Sequence, residues 1–251
     1  MKKVIMHGCN GRVGQIITGL VKDDPEMEIV AGVDKFDDGH NAYPVFPSMA
    51  DCNVDADVII DFSNSSAVDG LLEIAAKKNI PVVVCTTGLD EAQIANLKDK
   101  STQVAILRSA NMSLGINLLM KLVREAAAVL SPAGFDIEIV EKHHKHKLDA
   151  PSGTAIALAD EINDELGGDF ELVFGRSDRR IERPVKEIGV SAVRGGSIVG
   201  DHDVYYAGTD EVITLSHTAY SRAVFAKGAI EAAKFLAGKA PGLYGMSDVI
   251  G

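Results

Sequence analysis

The sequence predicts an α/β protein with an open, mostly parallel sheet wound with helices, and a second α+β unit with a mixed sheet. Over the first hundred residues, short β-branched runs alternate with stretches of helical periodicity, as in a parallel sheet with helical crossovers. Short β-rich runs between residues 135 and 216 are separated by glycine turns, which favours an antiparallel or mixed sheet. The 251 residues, 46% of them hydrophobic, suffice for a substantial core.

The first element is a short apolar strand at residues 4–6 that leads into the glycine-rich sequence GCNGRVG. The spacing of its glycines is G-x-x-G-x-x-G, which departs from the more common G-x-G-x-x-G. Strand, glycine turn and helix in this order are typical of a Rossmann-like dinucleotide-binding domain, in which N–H groups at the helix start bind the pyrophosphate. The predicted cofactor contacts in this turn are Gly8, Cys9, Asn10, Gly11, Arg12 and Val13.

The second strand, at residues 28–33, ends at Asp34. An acidic side chain about 20 residues beyond the glycines binds the ribose hydroxyls of the adenosine half, so we predict that role for Asp34. Asp34 favours NADH because its carboxylate repels a 2′-phosphate, whereas the adjacent Lys35 offers a cation that leaves NADPH open as a second cofactor. Arg12 is another candidate phosphate contact, and its alternative is a solvated arginine at a helix start.

Two further apolar runs, at residues 57–62 and 81–85, are each followed by a polar tip and a helical pattern. In an open parallel sheet the ligand lies beyond the carboxyl ends of the strands. We therefore expect the tips at residues 63–64, 86–88 and 109–112 to face the cofactor. Threonine, serine and asparagine also cap loops at such junctions, and for each tip alone that alternative stays open.

The second unit begins with a long amphipathic helix, Leu114–Leu130, which Ser131 and Pro132 terminate. Residues 135–140 alternate like a strand with one wet face. From residue 222 the pattern is helical again and ends at Gly238. Further strands are predicted at residues 189–194, 197–199, 204–207 and 212–216.

Residues 141–155, EKHHKHKLDAPSGTA, combine proton donors, fixed cations and an anion site. Histidines such as His143 and His144 are suited to proton transfer near neutral pH, and Lys147 is an ammonium donor. A turn then leads into a helix that opens at Thr154, where N–H groups attract anions. The pattern predicts that Lys147 and the backbone of Gly153 and Thr154 hold a substrate carboxylate while a histidine supplies the proton for a reduction.

Three other interpretations of this segment compete. A metal site is disfavoured because no facing acidic cluster is evident and two adjacent lysines oppose a cation, so no metal is predicted. A nucleic-acid patch is disfavoured because interleaved aromatic residues are missing and the chain is acidic. A solvated loop is the usual fate of a charge run, and residue types alone do not exclude it.

The same segment resembles the E-x-H-x-x-x-K-x-D-x-P-S-G-T-A signature of the 4-hydroxy-tetrahydrodipicolinate reductase (dihydrodipicolinate reductase) family. The resemblance extends through GCNGRVG, CTTG, SANMSLG and the C-terminal GAIEAAKFLAGKAPGLYGMSDVIG. It implies that His143 is the acid/base residue and that Lys147 is its catalytic partner and proton donor. His144, Gly153 and Thr154 would hold the substrate carboxylates. Contacts to the nicotinamide half would come from Cys85, Thr86, Thr87, Ser109, Ala110, Asn111 and Met112.

The resemblance also implies how the chain is organised. Residues 1–112 and 222–251 would form a discontinuous dinucleotide-binding domain, and residues 113–221 a substrate-binding and tetramerisation domain inserted in it. The expected assembly is a homotetramer joined through the β-rich part of the second domain, where exposed sheet edges need cover. The expected reaction is NAD(P)H-dependent reduction of 4-hydroxy-tetrahydrodipicolinate, a cyclic imine dicarboxylate, with loss of water, on the diaminopimelate route to lysine.

Composition and charge restrict the classes of binding partner and the cellular location that the sequence favours. A net charge of −11 and a pI of about 5.1 disfavour a nucleic-acid or anionic-membrane partner. The cysteines, Cys9, Cys52 and Cys85, form no C-x-x-C pair, which favours a reducing compartment. No window approaches the ~20 apolar residues of a membrane span, and the apolar run after Lys2 and Lys3 is too short for a secretion signal. We expect a cytoplasmic protein.

Two competing functions remain at this point. A related dehydrogenase acting on an open-chain amino acid would use the same nucleotide domain but would not need the whole His143, Lys147, Gly153 and Thr154 constellation. A non-catalytic NADH-sensing regulator would bind cofactor, and its behaviour would not depend on His143 or Lys147.

Overall fold

A computed structural model describes residues 1–37, 39–177 and 179–251. The chain divides into two compact units. Met1–Leu114 and Arg222–Gly251 form the first unit, and Gly115–Ser221 forms the second. In the described ranges, no helix is long and apolar enough to cross a membrane.

The first unit is built on a seven-stranded sheet in which every strand pair is parallel. The strands are β1 (Lys2–His7), β2 (Met27–Val33), β3 (Val45–Phe46), β4 (Val58–Asp61), β5 (Val82–Val84), β6 (Ala105–Arg108) and β12 (Gly242–Tyr244). Their order in the sheet is β12-β6-β5-β4-β1-β2-β3. The helices of this unit are α1 (Arg12–Val21), α2 (Ser65–Lys78), α3 (Glu91–Lys100), α6 (Ala223–Leu236) and α7 (Met246–Ile250).

Helices cover both faces of this sheet, so its central strands are apolar on both sides. In β1, Val4 and Met6 join the hydrophobic cluster that includes α1 and α6 residues, whereas Ile5 joins the cluster that includes α2 residues. This alternation follows from the two-residue period of a strand. Strands buried on both faces explain the continuous β-branched runs of the sequence, and the predicted doubly wound sheet is confirmed.

The second unit contains a mixed five-stranded sheet. The strands are β7 (Asp136–His143), β8 (Glu171–Phe174), β9 (Glu187–Arg194), β10 (Asp201–Ala207) and β11 (Val212–Thr218), and their order in the sheet is β11-β10-β7-β9-β8. Strand β10 is antiparallel to both β7 and β11, whereas β9 is parallel to β7 and β8. Two helices belong with this sheet, α4 (Leu114–Leu130) and α5 (Gly153–Glu165).

One face of the mixed sheet forms the core of the second unit. Ile137 and Ile139 of β7 pack in one cluster with apolar residues of α4 and α5. The fully buried Tyr206 of β10 belongs to the same cluster, and its hydroxyl donates a hydrogen bond to the Val123 carbonyl oxygen of α4 at 2.5 Å. The core thus ties the sheet to the long helix through one polar contact as well as apolar packing.

The predicted elements differ from the structure in a few places. Residues 197–199 are not a strand, because the glycine-flanked stretch around them forms a turn whose backbone bonds to the segment after β7. Lys145 N–H donates to the Gly196 carbonyl, and Gly195 N–H donates to the His143 carbonyl. Strand β7 extends beyond the predicted residue 140 to His143, which places Glu141 and His143 in the sheet.

Candidate active site

The glycine turn after β1 is so tightly packed that two of its positions accept only glycine. Gly8 has φ +81°, and a Cβ there would lie 2.4 Å from the Phe62 carbonyl oxygen. A Cβ at Gly14 would lie 2.3 Å from the Gly8 carbonyl oxygen. Both positions therefore need the missing side chain, which lets the turn approach both β4 and α1 closely. Gly11 and Arg12, at the start of α1, are exposed, so an anionic group can approach this helix start.

Asp34 lies against the glycine turn at the end of β2. Its Oδ2 accepts a hydrogen bond from the Asn10 N–H at 3.0 Å. A cavity of about 820 Å³ opens beside them and is lined in part by Gly8, Gly11, Asp34 and the exposed Lys35. That volume is within the range of about 300–1,000 Å³ that is usual for small-molecule sites. The turn and this cavity fit the adenosine and pyrophosphate part of a dinucleotide.

Two of the predicted cofactor residues, Cys9 and Met112, have their side chains in the core. Cys9 is fully buried and Met112 is 4% exposed, so only their backbones can reach a ligand. Burial, helped by the nearby Asp34 carboxylate, raises the pKa of the Cys9 thiol to about 11. Arg12 is exposed beside them, and Val13 is half-buried. The turn therefore presents mainly backbone groups and one arginine.

The polar tips after β4 and β5 meet around a fully buried carboxylate, that of Asp61. Asp61 Oδ1 lies 2.7 Å from His7 Nδ1 and accepts a hydrogen bond from Ser63 Oγ at 2.6 Å. Ser63 N–H donates in turn to Thr86 Oγ1 at 3.0 Å. The Asp61–His7 pair was not among the predicted contacts, although a histidine and an aspartate at the ends of two apolar strands were its visible signal.

The remaining predicted contacts to the nicotinamide half lie at the tips of β5 and β6. Cys85 is nearly buried, and burial together with the nearby Asp61 carboxylate raises the pKa of its thiol well above the ordinary value. It is a packed thiol and not a nucleophile. Thr87 and Ala110 are exposed, Thr86 is buried, and Ser109 Oγ donates to the Asn111 carbonyl at 3.0 Å.

In the second unit, His143 is held by a fully buried glutamate. His143 Nδ1 lies 2.6 Å from Glu141 Oε2. Arg194 donates to both oxygens of Glu141, from Nη1 to Oε2 at 2.7 Å and from Nη2 to Oε1 at 2.6 Å. The Ser152 N–H donates to Oε1 at 2.9 Å. Burial alone would raise the pKa of Glu141, but the hydrogen bonds from Arg194, His143 and Ser152 outweigh it and hold that pKa below its usual value.

A second buried histidine, His202 of β10, packs edge-on against His143 with ring centroids 5.2 Å apart. Its Nε2 lies 2.8 Å from Ser152 Oγ, which also accepts from the Ala155 N–H and so caps α5. Burial, followed by the effect of His143, lowers the pKa of His202 to about 4. His202 is therefore neutral near pH 7.

The predicted anion site lies at the start of α5. Gly153 and Thr154 are the first two residues of this helix, and a Cβ at Gly153 would meet nothing within 4 Å, so the backbone faces open space. Lys147 lies in the preceding segment, 2.9 Å from Asp149, and the hydrogen bond from Lys147 lowers the pKa of that carboxyl. His144 Nδ1 is buried and has no hydrogen-bond partner among the described residues.

The predicted residues thus fall into two groups, one in each unit. His143, Gly153 and Thr154 are linked through Glu141 and Ser152, whereas every predicted cofactor contact lies in the first unit. Glu141, Arg194 and His202 were not among the predicted site residues. Within the described ranges, no group of three or more histidine, cysteine, aspartate and glutamate side chains is arranged to hold a metal ion.

Comparison with known proteins gives a consistent family. Residues 2–112 match the family model "Dihydrodipicolinate reductase, N-terminus", and residues 115–250 match "Dihydrodipicolinate reductase, C-terminus". The 4-hydroxy-tetrahydrodipicolinate reductase of Caldanaerobacter subterraneus subsp. tengcongensis is 53% identical over 250 residues, covering 100% of this chain and 98% of that protein. The enzyme of the same name from Clostridium novyi is 47% identical with the same coverage.

Solved structures are similar as well. The dipicolinate-bound dihydrodipicolinate reductase from Paenisporosarcina sp. TG-14 superimposes with a TM-score of 0.83 at 25% identity, covering 99% of both chains. The aspartate dehydrogenase from Thermotoga maritima superimposes with a TM-score of 0.54 at 11% identity, covering 96% of this chain and 98% of that one. The second similarity extends to the fold alone.

Proposed function

Because this chain belongs to the dihydrodipicolinate reductase family, we propose that His143 and Lys147 perform the proton chemistry of the family's reaction. The chain is an oxidoreductase that reduces 4-hydroxy-tetrahydrodipicolinate to tetrahydrodipicolinate with loss of water, a step of lysine and diaminopimelate biosynthesis. One observation carries the assignment of roles. A single buried carboxylate, Glu141, hydrogen-bonds both His143 and Ser152, the residue that caps α5. It thereby ties a proton donor to an anion site.

The nicotinamide cofactor, when bound, supplies the hydride. We propose that the turn formed by Gly8, Gly11 and Gly14 holds its pyrophosphate, and that Asp34 accepts hydrogen bonds from the adenosine ribose. The cavity beside Asp34 supports this placement. NADH is the favoured cofactor, since the Asp34 carboxylate repels a 2′-phosphate and Lys35, exposed and flexible, is a weaker counterpart than an arginine.

The substrate carboxylates are held in the second unit by Lys147, His144 and the backbone of Gly153 and Thr154. Three features support this arrangement: the ammonium group of Lys147, the Nδ1 of His144, which has no partner in the described part of the chain, and the helix start that faces open space. Donors fixed in this way favour a dianion because they need little reorganisation. The dipicolinate carried by the Paenisporosarcina relative is also a ring with two carboxylates, which agrees with the proposed substrate class.

Hydride addition to carbon leaves a neighbouring atom that must receive a proton. His143 provides it, because its Nδ1 is held by Glu141 and its Nε2 is the nitrogen left for proton transfer. Lys147 acts as its partner, placing a second proton donor and a positive charge near the substrate. Positioned acid/base catalysis of this kind contributes roughly 10²- to 10⁴-fold to a rate.

The test feeds the enzyme the condensation product of pyruvate and aspartate semialdehyde, generated in situ, and follows NADH and NADPH oxidation separately. His143→Gln and Lys147→Ala should each lower turnover by roughly 10²-fold or more while NADH affinity stays unchanged. The exposed neighbours provide matched controls, and His146→Gln and Lys145→Ala should stay close to the parent enzyme.

Each outcome of this assay separates the competing functions. Unchanged turnover in both variants would reject the proposed roles, and NADH binding without any substrate-dependent oxidation would favour a sensor. NADH oxidation with an open-chain 2-oxo acid and ammonia in place of the cyclic substrate, or reduction of NAD+ by the corresponding amino acid, would favour the amino-acid dehydrogenase. An NADH rate well above the NADPH rate would support the dominance of Asp34 over Lys35.

We propose the homotetramer and the cytoplasmic location as further parts of this function. The edge strand β11 exposes Val212 and Ile213, at 58% and 38%, and such an edge favours association through the second unit. Light scattering should give the mass of four chains, and a monomeric mass at working concentration would reject the tetramer.

The three cysteines are buried and free, which suits the proposed location in a reducing compartment.

A further inference from the structure

We propose that Glu141 is the positioning residue for His143, and that Arg194 and the Ser152 N–H keep it charged and fixed in place. The inference rests on the proposed acid/base role of His143. It assigns functions to Glu141 and Arg194, which lie in the same network but do not themselves need to touch the substrate.

The hydrogen bonds around Glu141 use its whole accepting capacity. Oε1 accepts from Arg194 Nη2 and Ser152 N–H, at 2.6 and 2.9 Å. Oε2 accepts from Arg194 Nη1 and lies 2.6 Å from His143 Nδ1. An ionised carboxylate only accepts hydrogen bonds and offers about four positions for them. His143 must therefore donate its Nδ1 proton to Glu141, which fixes both the tautomer and the ring plane.

The geometry leaves Nε2 of His143 as the reactive nitrogen. Gly200 lies on that side, and a Cβ there would come within 3.0 Å of His143 Nε2. A glycine at this position keeps the nitrogen accessible. With Nδ1 occupied by Glu141, proton transfer can take place only through Nε2.

The groups around the pair keep Glu141 ionised and leave it free of competing cations other than Arg194 among the described residues. Glu141 is fully buried, and an unpaired buried charge would be strongly unfavourable, so the guanidinium of Arg194 is required to keep it ionised. The charged and titratable groups nearby are Glu141 on β7, Arg194 on β9, His202 on β10, His217 on β11, and Lys147 and Asp149 after β7. His202 remains neutral near pH 7, so it adds no cation that would compete for Glu141.

The same network sets the position of the anion site. Arg194 Nη2 also donates to the Asp149 carbonyl oxygen at 2.6 Å, and Ser152 N–H is held by Glu141. Arg194 and Glu141, which together orient His143, thus hold the turn before α5 at both of its ends. Loss of Glu141 should lower turnover through the histidine and should also weaken substrate binding through the turn.

The decisive test is a double-mutant cycle between Glu141→Gln and His143→Gln. Glu141→Gln alone should lower kcat by roughly 10²-fold or more, and the alkaline limb of its pH–kcat profile should move to lower pH because the imidazolium has lost its carboxylate. In the His143→Gln background, Glu141→Gln should change kcat less than threefold, since a positioning residue acts through the residue it positions. Two full, multiplicative losses would overturn the proposal.

Glu187→Gln is the matched control. Glu187 is the other fully buried glutamate of this sheet, paired with Arg176 and Arg179 at the opposite end of β9 from Arg194. The Glu187→Gln variant breaks a buried glutamate–arginine ion pair in which no histidine takes part among the described residues. It should lower the unfolding midpoint about as much as Glu141→Gln does, while kcat and its pH profile stay those of the parent. An equal loss of kcat in Glu187→Gln would mean that Glu141 acts only through stability.

A further variant covers the case in which Glu141→Gln does not fold. Arg194→Lys keeps the positive charge but loses the two-pronged contact, so it should lower kcat and shift the pH profile in the same direction, with NADH affinity unchanged. A parental kcat and pH profile in that folded variant would overturn the proposal. If His143→Gln itself keeps full turnover, the proposed function fails instead, and this outcome is distinct from either result at Glu141.

Discussion

His202 should make the second unit lose stability as the pH falls below neutrality. The side chain is 5% exposed, and burial lowers its pKa from 6.5 to about 4. In the unfolded chain the imidazole takes up a proton near pH 6.5, whereas in the folded chain it resists protonation until about pH 4. The unfolded state therefore binds more protons between these values, and the free energy of unfolding must fall with pH across that window.

The size of the loss follows from the difference between the two pKa values. One pKa unit corresponds to about 1.4 kcal/mol, so a full titration of His202 would cost about 3 kcal/mol. Between about pH 7 and pH 5, the free energy of unfolding falls mainly below pH 6.5, where the unfolded chain takes up the proton. The loss over this interval is about 2 kcal/mol. The pKa values of Glu141 and Asp203 are held below their ordinary values, so these carboxylates stay ionised over that interval. His217, whose pKa burial also lowers, acts in the same direction.

Urea unfolding at a series of pH values, at one protein concentration, measures this loss. The parent protein should lose about 2 kcal/mol between about pH 7 and pH 5, and His202→Gln should remove most of that dependence because the amide does not titrate. His146→Gln, which removes an exposed imidazole from the same unit, should leave the loss in place. A His202→Gln protein that loses as much stability as the parent would refute the burial argument.

Three further predictions concern the first unit. Gly14→Ala should weaken NADH binding by roughly tenfold or more, because its Cβ would lie 2.3 Å from the Gly8 carbonyl oxygen; fluorescence titration measures this, and parental affinity would contradict it. Asp34→Asn should raise the NADPH-to-NADH ratio of kcat/KM by roughly tenfold, and an unchanged ratio would show that the carboxylate does not select the cofactor. His7→Ala should lower the free energy of unfolding by about 1–3 kcal/mol, because the buried Asp61 loses one of its hydrogen-bond partners; denaturant unfolding measures it, and no loss would contradict it.

The parallel sheet could be predicted because its signals are local. Strands β1, β2, β4 and β5 each contain an apolar run, and the glycine turn and Asp34 each stand at the end of such a run. The carboxyl ends of parallel strands lie at one edge of the sheet, so residues distant in sequence could be assigned to one site. The hydrogen bond between Asp34 and the Asn10 N–H agrees with that reasoning.

The Glu141 network could not be predicted, because it depends on the register of strands that are distant in sequence. Arg194 meets Glu141 only because β9 pairs with β7 so that Arg194 stands opposite His143. His202 meets the same group because it stands opposite Glu141 on β10. Periodicity does place Glu141 and His143 on one face of a strand, two residues apart, but it does not specify which residues of other strands stand beside them.

The two buried glutamates of the mixed sheet show why the network at Glu141 has a function beyond stability. A buried ion pair often contributes little net stability, since the cost of removing its charges from water offsets their attraction. Glu187 and its arginines could therefore be replaced by apolar residues of similar volume with a small effect. Glu141 differs because one of its accepting positions is filled by His143, so no apolar replacement preserves the orientation or the charge of that imidazole. We therefore infer that the buried charge of Glu141 is retained because it orients His143, at the end of the sheet where the proposed anion site begins.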